Sequence, residues 1–125
     1  MPAQSQVEKL MAFGMAPELA GVAGTFIVGR DLVATGSAIG DALLLRAHFN
    51  HITTSSASTG VQLPDWTNTI IVIDNSSGQT LNIFPHSTAG TINAGSAAAA
   101  QTIATAKWGV LFRATGINWR YVLVN

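Results

Sequence analysis

The sequence predicts a mainly β protein: an antiparallel β-sandwich or barrel-like domain preceded by a short helical N-terminal arm. Three observations predict it. Residues 68–86, NTIIVIDNSSGQTLNIFPH, place two apolar runs around Asn75-Ser76-Ser77-Gly78-Gln79, a stretch of turn formers, and so read as a β-hairpin. Residues 107–124 alternate with period two on both sides of Thr115-Gly116. After residue 24 the chain is a series of short β-forming stretches separated by turn residues, the pattern of a sandwich or barrel. The division that follows is an arm over residues 1–24 and a β domain over residues 25–125.

The arm opens with Ser5-Gln6-Val7-Glu8, which fits a capping box: Ser5 caps and Glu8 reaches back to its amide. Val7, Leu10 and Met11 follow at helical spacing, and Gly14 is a stop. Pro17 and Glu18 suit the first turn of a second short helix, continued by Leu19, Ala20 and Val22. Neither piece is long enough to be stable alone in water, so both need a surface, on this domain or on a partner.

In the β domain, residues 25–28 and 31–34 form candidate strands around Gly29-Arg30, and residues 36–40 a loop. Residues 42–54 alternate and predict a longer strand, followed by a loop over 55–60 and a short strand at 61–63 stopped by Pro64. Beyond the hairpin, Thr91-Ile92-Asn93 is a brief strand. The Gly/Ala-rich stretch 94–100 is read as a loop, and residues 102–104 as a strand. The alternation over 107–124 predicts a second hairpin with Trp108, Trp119 and Tyr121 on its core face. The last strand is expected to be tied into a sheet.

At 125 residues the chain has the size of one domain. Only 10% of its residues are charged, against about 25% in a typical soluble domain. Six Lys and Arg balance six Asp and Glu, which leaves no field to attract nucleic acid or an anionic membrane. A surface that is neutral and poor in charge associates readily, which favours a symmetric oligomer. There is no cysteine for disulfide or thiol chemistry. No apolar run approaches the roughly 20 residues of a membrane span. The apolar-rich residues 11–29 are broken by glycines and by Pro17-Glu18 and lack a basic lead-in, so they read as part of the mature protein.

The residues speak against catalysis. His48 and His51 are three apart, which in a strand sends them to opposite faces, and Asp41 and His86 are the other candidate ligands by type. Glu8, Glu18, Asp31, Asp41, Asp65 and Asp74 form no acid–base pair by spacing and mostly adjoin turns or helix starts. The serines lack a nucleophile-elbow setting, and the glycines build neither a phosphate loop nor a dinucleotide fingerprint. No cofactor is implied. Trp66, beside Pro64-Asp65 in a loop, is the candidate for stacking on a glycan.

Five segments carry a resemblance: Gly60-Val61-Gln62-Leu63-Pro64, residues 70–75, Leu81-Asn82-Ile83-Phe84-Pro85, Thr91-Ile92-Asn93 and Asn118-Trp119-Arg120-Tyr121. Together they resemble a recurrent module of tailed-bacteriophage virion proteins, over a little more than half of the chain. Phe13-Gly14-Met15-Ala16-Pro17-Glu18-Leu19-Ala20 is similar to segments that begin some such proteins. The resemblance implies a non-enzymatic virion component made in the host cytoplasm: a head decoration (cement) protein or short head fibre, trimeric through its β domain. It implies an arm that binds the major capsid protein or another virion protein at the capsid surface, with Val7, Leu10, Met11, Met15 and Leu19 as contacts. The chain has no long fibre shaft, which favours the head over a tail fibre. A carbohydrate-binding host-attachment module of a tail fibre, using Trp66, is the alternative.

Overall fold

The computed structural model describes residues 26–113 and 115–124. The arm, with its helices and its five contact residues, lies outside them. The described chain is mainly β, and no helix occurs within it. It forms a sandwich-like pair of mixed sheets. Strands β1 (Val28–Val33), β3 (Phe49–Thr54), β5 (Thr69–Asn75), β9 (Lys107–Arg113), β10 (Asn118–Val124) and β7 (Thr91–Ile92) form the larger sheet in that order. Strands β2 (Leu43–Leu44), β4 (Gly60–Gln62), β6 (Leu81–Phe84) and β8 (Gln101–Ile103) form the smaller.

The chain enters by alternating between the sheets. β1, β3 and β5 run parallel, with Val28 beside Phe49 and Phe49 beside Val72. β2, β4 and β6 do the same, with Leu43 beside Val61 and Val61 beside Ile83. Parallel neighbours need a crossover. Here a strand of the opposite sheet supplies it, so each pass adds one rung to both sheets. The direction then reverses: β8 lies antiparallel on β6, β9 on β5 and β10 on β9, while β7 closes the far edge parallel to β10.

Several sequence expectations are corrected. The sandwich is not antiparallel throughout, because five of its eight strand pairings are parallel. The predicted hairpin over residues 68–86 does not form: β5 and β6 belong to different sheets. The cause is the fully buried Asn75. Its Oδ1 accepts from Ser77 N–H (3.2 Å) and Ser77 Oγ–H (2.6 Å), while its Nδ2 donates to the carbonyls of Gln79 and Ile103 (both 2.9 Å). This anchored turn carries the chain across the core instead of back along its own sheet. β5 is a central strand between β3 and β9: Ile71 and Ile73 are buried in the core, and Ile70 and Val72 lie on the outer face.

The predicted strand over residues 42–54 breaks into β2 and β3 around the buried Leu45 and Ala47. The two candidate strands at 25–28 and 31–34 are one strand, β1, with an irregular register around Asp31, whose φ is +52°. The second hairpin does form, as β9–β10, and pairs the chain's last strand as expected. Trp119 is fully buried, but Trp108 points outward and is 43% exposed. Gly109 occupies the inward position instead: a Cβ there would lie 2.7 Å from both Ile103 and Tyr121. That face of β9 is filled by Ile103 from the opposite sheet and by Tyr121 from β10, which leaves Trp108, Val110 and Phe112 on the other side.

Candidate functional site

The outward parity of β9 creates the main surface feature. Val28, Phe49, Val72, Val110 and Val122 are lateral neighbours on five adjacent strands and form one transverse row of apolar side chains. On one side of it runs Ile70–Phe112–Arg120, and on the other His51–Asp74–Trp108–Val124. Phe49 and Trp108 meet edge to face with centroids 5.5 Å apart, joining two rows. Val122 is 58% exposed, and Ile70, Phe112 and Val124 are exposed as well. Five strands about 4.8 Å apart and three rows about 7 Å apart give a face on the order of 400 Å² once side-chain width is added, apolar except for His51, Asp74 and Arg120 in its outer rows. An area of that size matches the largest apolar patch of a typical monomer, and such a patch often serves binding.

The polar groups at the margin of this face do structural chemistry. His51 Nε2 lies 3.8 Å from Asp74 Oδ2. His48 packs between Phe26 and Trp66 (5.0 and 5.1 Å), and its Nδ1 accepts from the Ile27 amide at 3.0 Å. The two histidines of the His48-x-x-His51 spacing therefore have separate partners. Among the described residues, no three His, Asp or Glu side chains converge as a metal set.

A second cluster ties the loop after β4 to β9 and β10. The buried Arg113 donates from Nη1 to Asp65 Oδ1 (2.7 Å) and the Trp66 carbonyl (3.3 Å), and from Nε to the Gly116 carbonyl (2.6 Å). Its guanidinium lies 5.9 Å from the Trp119 ring centroid. Trp119 donates from Nε1 to His86 Nδ1 at 3.0 Å, which leaves the imidazole proton on Nε2, 3.9 Å from Asp65 Oδ1. The hydrogen bond from Arg113 holds the Asp65 carboxyl below the usual carboxylate range. Burial, with the Arg113 charge added, holds His86 below the ordinary imidazole value. Each hydrogen bond of the cluster joins β9 or β10 to a loop.

The chain matches no family model, and no curated protein or solved structure is significantly similar to it.

Of the sequence-predicted site residues, only Trp66 falls within the described chain. It is half-buried, with one side against His48, and it borders a shallow cleft of about 320 Å³ shared with Leu44, Arg46 and Asp65. Sequence reading missed the apolar face. Each strand's alternation was visible, but the five strands that compose the row are scattered from residue 28 to residue 124. It also missed the Arg113 cluster, whose signal was a lone charge in an otherwise apolar alternating strand.

Proposed function

We propose that this protein is a structural component of a bacteriophage virion, without enzymatic activity: a capsid decoration (cement) or short head-fibre protein. In this reading it associates as a homotrimer through its β domain and binds the major capsid protein or another virion protein at the capsid surface. The observation that carries the reading is the apolar row Val28–Phe49–Val72–Val110–Val122, a surface suited to protein contact and to little else. The low charge of the chain and the resemblance of its β segments to phage modules support it.

Burying about 400 Å² of such surface contributes on the order of 10 kcal/mol before the costs of association are subtracted. Repeated over many copies, that contribution resists the outward pressure of packaged DNA. Val7, Leu10, Met11, Met15 and Leu19 are the proposed grip on the particle. The test is co-sedimentation of the tagged full-length chain with virions from its source. Banding with heads is expected, and banding free of particles would refute the reading.

A second reading, a carbohydrate-binding host-attachment module, draws on the cleft beside Trp66. Arg46 and Asp65 add hydrogen-bonding groups there to an aromatic face. Adsorption to host cells that falls with Trp66→Ala would favour it.

A further inference from the structure

The two sheets part where their first strands lie. β1 and β2 are edge strands of the larger and the smaller sheet. A cavity of about 290 Å³ opens between them, lined by Gly29, Leu32, Leu43, Leu45, Ala47 and Asn50. Ile27 and Leu44 stand at its rim, 51% and 43% exposed, so it is reached from solvent. Its size lies close to the lower end of ligand pockets, which run from roughly 300 to 1,000 Å³.

One polar group is aimed into this apolar space. Asn50 is fully buried, and its Nδ2 donates to the carbonyls of Ala47 (2.9 Å) and Val72 (3.3 Å). Those two bonds fix the orientation of the amide. Oδ1 then has no partner among the described residues. A Cβ on Gly29 would lie 3.5 Å from it, so the oxygen faces the space that Gly29 leaves open. The same Cβ would lie 3.1 Å from Leu32 Cδ1 and 3.3 Å from Ala47 Cβ, so any larger residue at position 29 closes that space. A buried acceptor left without a donor destabilises the fold, and a bound donor relieves that cost.

The lining defines the ligand. Leucine and alanine side chains call for an apolar body. The amide oxygen accepts and cannot donate, so the ligand must bring the hydrogen. A carboxylate would set oxygen against oxygen. An ammonium would be buried with no carboxylate in the lining, and Arg46, the charged residue there, would repel it. A hydroxyl is the smallest neutral donor, and it brings no carbonyl that needs a partner of its own.

We propose that the cavity between β1 and β2 is a binding site for a small neutral alcohol or phenol. The apolar body of the ligand packs against Leu32, Leu43 and Leu45, and its O–H donates to Asn50 Oδ1. The ligand joins the edge strands of the two sheets through one shared contact and stabilises the folded chain by mass action. The site is measured on the isolated chain without particles, so it and the virion reading can fail independently.

The test is an NMR titration of the isotope-labelled full-length protein with phenol. Saturable shifts are expected at Gly29, Leu32 and Leu43 and at the side-chain amide of Asn50. Anisole keeps the ring and the oxygen but has no donor, and it should bind at least about fivefold more weakly although it is the more apolar molecule. Benzoate and benzylammonium should be weaker than phenol by a similar factor. Gly29→Ala fills the space in front of Oδ1 and should weaken phenol binding about tenfold, with the spectrum elsewhere retained. Absence of saturable shifts at these residues would overturn the proposal, as would anisole, benzoate or benzylammonium binding as tightly as phenol. A folded Gly29→Ala protein that binds phenol like the unmodified chain would overturn it too. If Gly29→Ala does not fold, the comparison of phenol with anisole on the unmodified chain decides.

Discussion

The indole N–H of the fully buried Trp119 is satisfied by His86 Nδ1 at 3.0 Å, so one side of the core depends on a neutral imidazole. Protonation of His86 would replace that acceptor with a donor facing a donor. Its pKa is lowered by burial and by the nearby Arg113. The unfolded chain therefore takes up this proton at higher pH than the folded one. The stabilisation is complete above about pH 6.5 and is lost as pH falls from there through the lowered folded value. We expect the melting temperature to drop between pH 7 and pH 5. His86→Gln, which offers an amide oxygen to the indole, should flatten that slope, and equal slopes in the two proteins would exclude His86 as the cause. Asp65, held low by Arg113, contributes in a separate window: its share is present above pH 3.8 and is lost on further acidification.

Asn75 decides where the chain goes after β5. Asn75→Ala would strand the Ile103 carbonyl and the Ser77 amide in the interior. The expected cost is about 2–4 kcal/mol, read from the urea midpoint. Asn75→Asp should not rescue it, since a carboxylate would face the carbonyls of Gln79 and Ile103. A stability within 0.5 kcal/mol of wild type would remove Asn75 from the explanation of the crossing.

Gly60 allows β4 and β6 to lie side by side. A Cβ at this position would lie 2.7 Å from the Asn82 carbonyl oxygen and 2.9 Å from the Phe84 ring. The obstacle is backbone, which cannot swing aside. Gly60→Ala should destabilise the domain by about 1–3 kcal/mol. Gly78→Ala, where nothing lies within 4 Å, is the matched control and should be near neutral.

The outer face should govern association and contribute little to folding of the single chain. Val122→Lys places a charge at a 58% exposed position next to Val110. The native mass by light scattering should fall from an oligomer toward 13.0 kDa. The change in unfolding free energy, compared at equal subunit concentration below the association range, should stay within about 0.5 kcal/mol. An unchanged native mass would place the contact between copies elsewhere.

Some of this architecture was legible from residue order. The β9–β10 hairpin and the burial of Trp119 follow from clean alternation around Thr115-Gly116. The apolar run in β5 marked it as a strand, with Ile71 and Ile73 in the core. What could not be read was which sheet each strand joins. Asn75-Ser76-Ser77-Gly78 serves equally well to reverse a chain within a sheet and to send it across a core. The choice depends on the Ile103 carbonyl that Asn75 reaches, 28 residues further along the chain. The rungs leave no visible repeat because equivalent positions hold unlike residues: Val28, Phe49 and Val72 on one row, Gly29, Asn50 and Ile73 on the next. Parity in β9 was misjudged because aromatic bulk is a weaker guide than the space claimed by Ile103 and Tyr121 opposite Gly109.

The parallel stacking of β1, β3 and β5 makes length a discrete variable. A duplication of one complete rung, 21 to 23 residues here, would return both sheets to register and lengthen the stack by one strand spacing, about 4.8 Å. A duplication of half that size would find no matching place in the second sheet and would be extruded as a loop. Variants of this module that reach further from whatever they are mounted on are therefore most simply made by whole-rung duplication, with the antiparallel end formed by β8, β9 and β10 left as it is.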